Sequence, residues 1–592
     1  MGKEHSRIEY AVRLGRYIKG YGFFLFIAIM CNLIFIILPL GISFVMSLMI
    51  SKVFLQDLNM IKGLLALLIG LIIADAVFSY LDILVSHDVT YRILTKLRDL
   101  TYDKISELSP AAMMGKQSGD YISTIIEDVE LLEWFYAHVI AQLVVAFCVP
   151  VIMLLSMGMF SAWIPVAIIP FIISMLMIPK FQAAKANKQG SKVRSAAGKV
   201  SAEIVDGVQG LRDILSFGWN GQYLKRFKEC QTEYQNAFLT YEKRSAFDSS
   251  LLNLIVAIAG FVADILTVIL VKNGTIPAKF MLPIFLMSSG VFVPIMEAMN
   301  MSNNYGLIFG AAKRVVGLLE TEPAVKDEGT LTKEEAFEKY DLNSNKHYVE
   351  LSHVGFGYPE EVSDDKTDVL KDISFYVDKG ETVAIVGASG CGKSTISKLL
   401  LRFWDTDRGS VFVAGFDIKD YKLSELQRMI TLVPQEAFIF ADTVENNIMM
   451  AAPGCTREQM KKAAQLAGAD KFIEKLTDGY QTTLGEHGLR LSGGEKKRIA
   501  IAQAMLKDSP ILVLDEASAN LDAENERIIN MGIENLKKGR ATIMIAHRIS
   551  TIRSADRVMF IKDGCVDEEG KFDDLIANNE DFRKLIASEE AS

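Results

Sequence analysis

Apolar positions are distributed very unevenly along this chain. Before about position 310 they gather into long unbroken runs, and beyond it they fall into short runs separated by polar turns. Six of the long runs approach the roughly 20 residues that a helix needs to cross a bilayer. They are Phe23 to Ile50, Ile61 to Val85, Ala137 to Met157, Trp163 to Ile178, Leu251 to Val271 and Met281 to Ile308. Short loops join the first run to the second, the third to the fourth and the fifth to the sixth. The two remaining links are long and polar. Within them Val89 to Leu108, Tyr121 to Trp134, Lys199 to Leu215 and Tyr223 to Phe238 alternate apolar and polar residues at helical spacing. The pattern predicts membrane helices that continue into water and turn back at Ser109-Pro110, Gly115 to Gly119 and Phe217 to Gly221. Ile8 to Tyr21 mixes Tyr10, Val12, Leu14 and Ile18 with Arg13, Arg16 and Lys19, and suits either a helix lying in the membrane interface or a basic lead-in.

Lys313 to Glu322 closes the last of these helices, with Pro323 as a stop. Pro323 to Lys346 is charged, poor in apolar residues and linker-like. From Tyr348 the pattern becomes strand, turn, helix, with strands at Val349 to Val354 and Ile373 to Val377 around an acidic loop, Pro359 to Asp368. The expected organisation is multidomain: an all-α transmembrane domain over 1–320, a linker over 321–347 and an α/β domain over 348–592.

Composition sharpens this division. Half of the 592 residues are hydrophobic, and the mean hydropathy of +0.24 is high for a water-soluble enzyme. Arg92, Lys96, Arg98, Lys104 and Lys116 lie in the first long link, and Lys180, Lys185, Lys188, Lys192, Arg194 and Lys199 in the second. The positive-inside rule therefore places the N-terminus, both links and the C-terminal half in the cytosol of a multi-pass membrane protein. A net charge of −9 without a basic stripe argues against a nucleic-acid partner. The six cysteines show no zinc or disulfide spacing and read as reduced thiols. Met1 to Ser6 fits a myristoylation pattern, which a protein with several spans does not need; the first apolar run is too long for a signal peptide. Asn273-Gly-Thr275 fits a glycosylation sequon but sits in a short loop. Asp75, Asp82, Asp264, Glu297 and Asn300 fall inside apolar runs, where a polar group either marks a pathway or bonds between helices; a cavity role is read for Asp264 and Glu297. The methionines of the sixth run, among them Met287, Met296 and Met299, read as helix packing or an adaptable surface.

The chemistry lies in the second half. Val383 to Val386 reads as a buried strand running into Gly387-Ala-Ser389-Gly390-Cys391-Gly392-Lys393-Ser394, which fits G-x-x-x-x-G-K-[ST]. Glycines let the backbone curl so that several N–H groups face one anion. Lys393 adds charge for the outer phosphates, and the Ser394 hydroxyl is placed to hold Mg²⁺. A helix from Thr395 to Leu401 aims its positive end at the same phosphates. Ile511 to Leu514 is a second buried strand, ending in Asp515 for Mg²⁺ and Glu516 to polarise the attacking water. Leu491-Ser492-Gly493-Gly494-Glu495 opens a further helix with free N–H groups, and Ile543 to Ala546 is a strand ending in His547. Tyr358, at the end of a strand, is suited to stack on a purine or simply to close the strand.

In this order the residues resemble the half-size ABC transporters of the exporter fold. Tyr358 resembles the A-loop, Gly387 to Ser394 the Walker A loop and Gln435 the Q-loop. Leu484 to Gly488 resembles the X-loop, Leu491 to Glu495 the signature, Asp515 and Glu516 the Walker B pair, Ser518 to Asp522 the D-loop, and His547 the switch histidine. Pro110 to Asp120 with Asp128 resembles the first coupling-helix region. The resemblance implies catalytic roles for Glu516, His547 and Lys393. It implies ATP contacts from Tyr358, Gly387, Ser389, Gly390, Cys391, Gly392, Lys393, Ser394, Thr395, Gln435, Ser492, Gly493 and Gly494, and Mg²⁺ on Ser394, Gln435 and Asp515. It also implies a second half-transporter chain, identical or different, whose signature completes each ATP site. The expected activity is ATP-driven export of a small molecule, lipid or peptide by alternating access, in a bacterial inner membrane. Import of a siderophore or export of a thiol by a heterodimer stands as the alternative, because Ile204 to Ile214 with Phe217 is similar to the second link of thiol exporters. A soluble ABC ATPase acting on nucleic acid is disfavoured by the six runs. No peptidase domain is expected before the first span. Glu495 stands where glutamine is commoner, Gln503 where arginine is usual, and the D-loop reads Ala519-Asn520.

Overall fold

The computed structural model describes residues 7–56, 61–111, 118–301, 305–340, 347–358, 367–485, 488, 491–515, 523–546 and 548–590. The chain divides into two compact units, 1–105 with 117–321, and 106–116 with 322–592.

The first unit is helical. Helix α1 (Arg7–Tyr17) is followed by α2 (Gly22–Phe54) and α3 (Ile61–Leu108). Next come α4 (Gly119–Gly158), α5 (Trp163–Gln209), α6 (Asn220–Lys272), α7 (Ala278–Met301) and α8 (Tyr305–Leu319). Five of these, α2, α3, α4, α6 and α7, are long and apolar enough to span a membrane, and the fourth expected span is the shorter apolar opening of α5, Trp163–Ile178. Helices α3, α5 and α6 continue far beyond their apolar halves, as the periodic links predict. The turn at Ser109-Pro110 follows the end of α3, and α6 begins just after the Phe217–Trp219 break. Of the turn at Gly115 to Gly119, residues up to 117 lie outside the described part.

Two expectations change. The sixth span does not run unbroken to Ile308: helix is interrupted at Val291–Phe292 and resumes at Val293. Pro294, which has no N–H to give back to the preceding turn, follows the interruption. Nor is the N-terminal helix merely a lead-in. Leu14 is fully buried among Ile93, Leu97, Leu132 and Ala312, and Tyr136 donates to the Leu14 carbonyl at 3.0 Å. A hydrophobic stripe at Tyr10 and Leu14, four residues apart, is what packs it.

Among the described residues, the second unit carries a ten-stranded sheet. Its strands are β1 (Val349–Tyr358), β2 (Thr367–Val377), β3 (Thr382–Gly387), β4 (Arg408–Val413), β5 (Phe416–Asp417), β6 (Ile430–Val433), β7 (Ile511–Asp515), β8 (Ala541–Ile545), β9 (Arg557–Lys562) and β10 (Cys565–Gly570). They lie in the order β5-β4-β1-β2-β10-β9-β3-β8-β7-β6. The strands around β3 are parallel and covered on both faces, which is why they read as unbroken apolar runs. Along β3, Val383 and Ile385 enter one core with Ile396, Leu399 and Ile543. Ala384 and Val386 enter another with Ile501, Leu514 and Met544. The segment read as linker belongs to this unit. Thr332 caps a short helix, Lys333–Lys339, Ala336 is fully buried, and Arg402 donates to the Lys326 carbonyl at 3.1 Å.

Candidate nucleotide site

The register of three strands sets the geometry. Ile385 on β3 lies level with Ile545 on β8, and Ile545 lies level with Asp515 on β7. On the far side Val433 of β6 is level with Leu514. These four strands are parallel, so their carboxyl ends open on one edge. The glycine loop after β3, Asp515 and the chain leading to Gln435 therefore share that edge, where open α/β sheets take their ligands. Glu516, the residue after β7, and His547, two residues after β8, lie outside the described residues, as does the D-loop from Ser518 to Asp522.

The loop itself is shaped by close backbone approach. A Cβ at Gly387 would stand 2.4 Å from the Ile561 carbonyl oxygen and 2.7 Å from Cys391 Sγ. Gly392 caps helix α9 (Lys393–Leu400) at φ +101°, and a Cβ there would stand 2.4 Å from Leu370 Cδ2. No other residue fits either position without moving its neighbours. Lys393, only 6% exposed, donates to the carbonyls of Gly387 at 2.7 Å and Ala388 at 2.9 Å. The ammonium thus braces the loop it belongs to. Ser389, Gly390 and Ser394 are exposed, and Cys391 is half-buried.

Tyr358 stands beside this loop. Its hydroxyl pairs with Thr395 Oγ1 at 3.1 Å, and Lys398 donates to the same oxygen at 3.4 Å. The ring meets Phe356 and Trp404 edge-on, with centroids 5.0 and 5.8 Å away, and the Lys398 ammonium lies 5.4 Å from its centroid. Phe356, Lys398 and Trp404 were not among the sequence candidates. Nothing in their spacing separates them from ordinary core and helix residues.

The predicted second loop opens helix α11 (Gly493–Lys507), which packs on the β6 side of the sheet against α10 (Val444–Met449). Ser492 is its N-cap. Ser492 Oγ accepts from the Glu495 N–H at 3.3 Å, while Glu495 Oε2 accepts from the Ser492 N–H at 2.7 Å and from its hydroxyl at 2.9 Å. Glutamate closes this capping box as glutamine would, and its charge also suits a helix N-terminus. Ser492 and Gly493 are exposed, Gly494 is buried, and the Gln435 side chain is exposed. Gln503, another departure, donates to the Asn447 carbonyl at 2.6 Å and so ties α11 to α10.

Inside the apolar spans, each carboxylate with a described bond has a neutral partner on another helix. Ser288 donates to Asp264 at 3.1 Å, Asn32 to Asp82 at 3.1 Å, and Gln142 approaches Glu297 at 3.3 Å. Asp264 and Asp82 are partly buried and Glu297 is exposed.

Residues 370–519 match the family described as ABC transporter, and residues 22–295 match the ABC transporter transmembrane region. A probable ABC transporter ATP-binding/permease protein of Haemophilus influenzae is 32% identical over 505 residues, 85% of this chain and 89% of that protein. The ATP-dependent lipid A-core flippase of Pseudomonas fluorescens is 32% identical over 90% of this chain and 86% of its own. That of Desulfotalea psychrophila is 30% identical over 98% and 99%. In fold, the chain is similar to a bacterial Atm1-family ABC exporter solved with ATP bound, with a TM-score of 0.77 and 24% identity over 98% of this chain and 99% of that one. A transmembrane region and a nucleotide-binding ATPase domain in one chain, matched nearly end to end by these relatives, establish that the protein belongs to the ABC transporters as a half-size exporter, a multi-pass membrane protein that hydrolyses ATP to drive transport.

Proposed function

We propose that two copies of this chain, or this chain and a similar partner, export an amphipathic lipid or lipid-like molecule across a bacterial inner membrane, with both ATPase domains in the cytoplasm. The division into a transmembrane domain over 1–320, a connecting segment over 321–347 and an ATPase domain over 348–592 belongs to this reading. The relatives named as lipid A-core flippases support the substrate class.

The observation that carries the catalytic part is the shared row of Ile385, Ile545 and Asp515, which aligns the ends of three strands on one edge. Lys393, Ser389, Gly390, Cys391, Gly392, Ser394 and Thr395 hold the phosphates, and Tyr358 stacks on the adenine. Ser394, Gln435 and Asp515 offer oxygen donors of the kind Mg²⁺ takes and would hold the ion, which would supply positive charge against the phosphates. Glu516 orients and polarises the attacking water, and His547 donates to the terminal phosphate. Ser492, Gly493 and Gly494 serve the partner's ATP. Helix α11 lies against β6, three strands from β3 and thus about 14 Å away at ordinary strand spacing, so one chain's signature loop is poorly placed for its own P-loop. Val208, Leu215 and Phe217, at 71, 60 and 83% exposure, are apolar groups that a second chain would cover.

Binding energy spread over the P-loop is present before and during hydrolysis, whereas Glu516, His547 and the partner loop act on the transition state. The test is Glu516→Gln in purified protein. It should keep ATP binding and lose steady-state hydrolysis by roughly 10²-fold or more. Near-normal turnover would refute the assignment.

A further inference from the structure

Helix α11 holds the stretch from β6 into α10 by three side chains. Lys507 Nζ donates to the Ile430 carbonyl at 2.7 Å. Lys497 Nζ donates to the carbonyls of Pro434 at 2.7 Å and Gln435 at 3.0 Å. Gln503 Nε2 donates to the Asn447 carbonyl at 2.6 Å. Asn447, 1% exposed, in turn clasps the turn before it: it accepts from the Phe440 N–H at 2.9 Å and donates to the carbonyls of Phe440 at 3.1 Å and Thr443 at 2.9 Å. The stretch from Ile430 to Asn447 is therefore fastened to one helix at its start, just after β6 and at its end, and the first turn of that helix carries Ser492 to Gly494.

Lys497 is the informative one of the three. It is 6% exposed, yet it sends an ammonium into two successive backbone carbonyls, one of them that of Gln435 itself. Charge-assisted bonds of this kind are short and directional. Lys497 stands five residues after Ser492, about 7.5 Å along the helix at 1.5 Å per residue. A displacement of the Gln435 backbone would thus be passed to the helix that carries the signature loop.

We infer that Lys497 is a positioning residue that couples the two ATP sites of the dimer: it ties Gln435, which senses the nucleotide on its own chain, to the loop that completes the partner's site. The inference rests on the proposed composite site. Lysine is suited to the task because its donor is a compact charge on a flexible stem, able to follow two carbonyls through a small shift. Methionine fills the same volume without a donor. Arginine keeps the charge and several donors.

The experiment compares wild type, K497M, K497Q, K497R and Ser492→Ala as full-length protein in lipid nanodiscs. The readouts are steady-state hydrolysis against ATP concentration and equilibrium binding of trinitrophenyl-ATP. Wild type should be cooperative, with a Hill coefficient approaching about 2, and Ser492→Ala should lose turnover. K497M should bind trinitrophenyl-ATP within about twofold of wild type but show a Hill coefficient near 1 and roughly tenfold lower kcat, the scale expected for a misplacement of under an ångström. K497R should restore both values, and K497Q should fall between. Wild-type kcat and cooperativity in K497M would overturn the coupling role while leaving the composite site standing. Loss of trinitrophenyl-ATP binding in step with turnover, in K497M and K497Q alike, would overturn it too, since Lys497 would then only hold the core together. Non-cooperative wild type with an active Ser492→Ala would refute the composite site and the inference together.

Discussion

The ion pair between Asp128 and Arg314 gives the sharpest prediction. Asp128 closes a π-helical segment of α4, Thr124–Asp128, in the link between the second and third spans; Arg314 lies on α8, which follows the sixth. The guanidinium is bidentate, with Nε 2.7 Å from one carboxylate oxygen and Nη2 2.5 Å from the other. The two side chains differ in setting: that of Asp128 is 4% exposed and that of Arg314 is 59% exposed. Arg314→Ala strands a buried carboxylate. Losing the partner of a fully buried charge costs about 3–5 kcal/mol, and water entering where the guanidinium lay reduces this to roughly 2–3 kcal/mol. Asp128→Asn removes the charge but keeps an oxygen acceptor, so the loss is about 1 kcal/mol. The assay is amide hydrogen exchange of the protein in nanodiscs, which reads local opening. In Arg314→Ala the amides of 124–132 and 308–316 should exchange roughly 30- to 100-fold faster, at tenfold per 1.4 kcal/mol. The double variant Asp128→Asn/Arg314→Met should recover most of the loss, with a coupling of about 1 kcal/mol or more. Unchanged exchange in Arg314→Ala, or an equal loss in Asp128→Asn, would refute the reasoning.

Three further outcomes follow from the ATPase domain. Gly387→Ala puts a methyl group 2.4 Å from the Ile561 carbonyl oxygen. The loop must then shift by about 1 Å, and turnover should fall on the order of 10²-fold; hydrolysis within a factor of two of wild type would contradict the close approach. Glu495→Gln keeps the reciprocal cap with Ser492 but removes a negative charge beside a loop meant for phosphate, so KM for ATP should fall roughly fivefold, the equivalent of about 1 kcal/mol of repulsion, and an unchanged KM would discount it. The Lys507 ammonium is pushed down to about 8, first by burial and then by Lys333. The unfolded chain therefore binds more protons between that value and the ordinary lysine range, and stability rises with pH across this window. Lys507→Met should flatten this rise, read as melting temperature between about pH 7.5 and 10; identical curves for the variant and wild type would show that Lys507 does not titrate there.

Periodicity along the chain was enough to place the membrane helices, their long continuations and most of their turns, because a 20-residue apolar run and a 3.6-residue repeat each have one physical solution. The glycine loop after β3 was equally legible: Gly387 and Gly392 occupy positions where a Cβ would collide with Ile561 and Leu370. The break at Val291–Phe292 was not legible: the hydropathy run passes straight through it, and Pro294 is no clearer a mark than Pro39 and Pro150, which lie inside unbroken helices. What the sequence alone decided is local, namely which stretches are apolar, which backbones curl and which residues cap. What only the tertiary structure decided is which distant residues meet. The level row of Ile385, Ile545 and Asp515 depends on the strand order β3-β8-β7, which no spacing encodes. Trp404 and Lys398 reach Tyr358, and Lys497 reaches Gln435, only through packing. Burial of Leu14 and Asp128 likewise waits on helices that lie hundreds of positions away. A short-range pattern constrains the energy of a segment by itself, whereas these contacts depend on how whole elements are arranged, and many arrangements share the same local pattern.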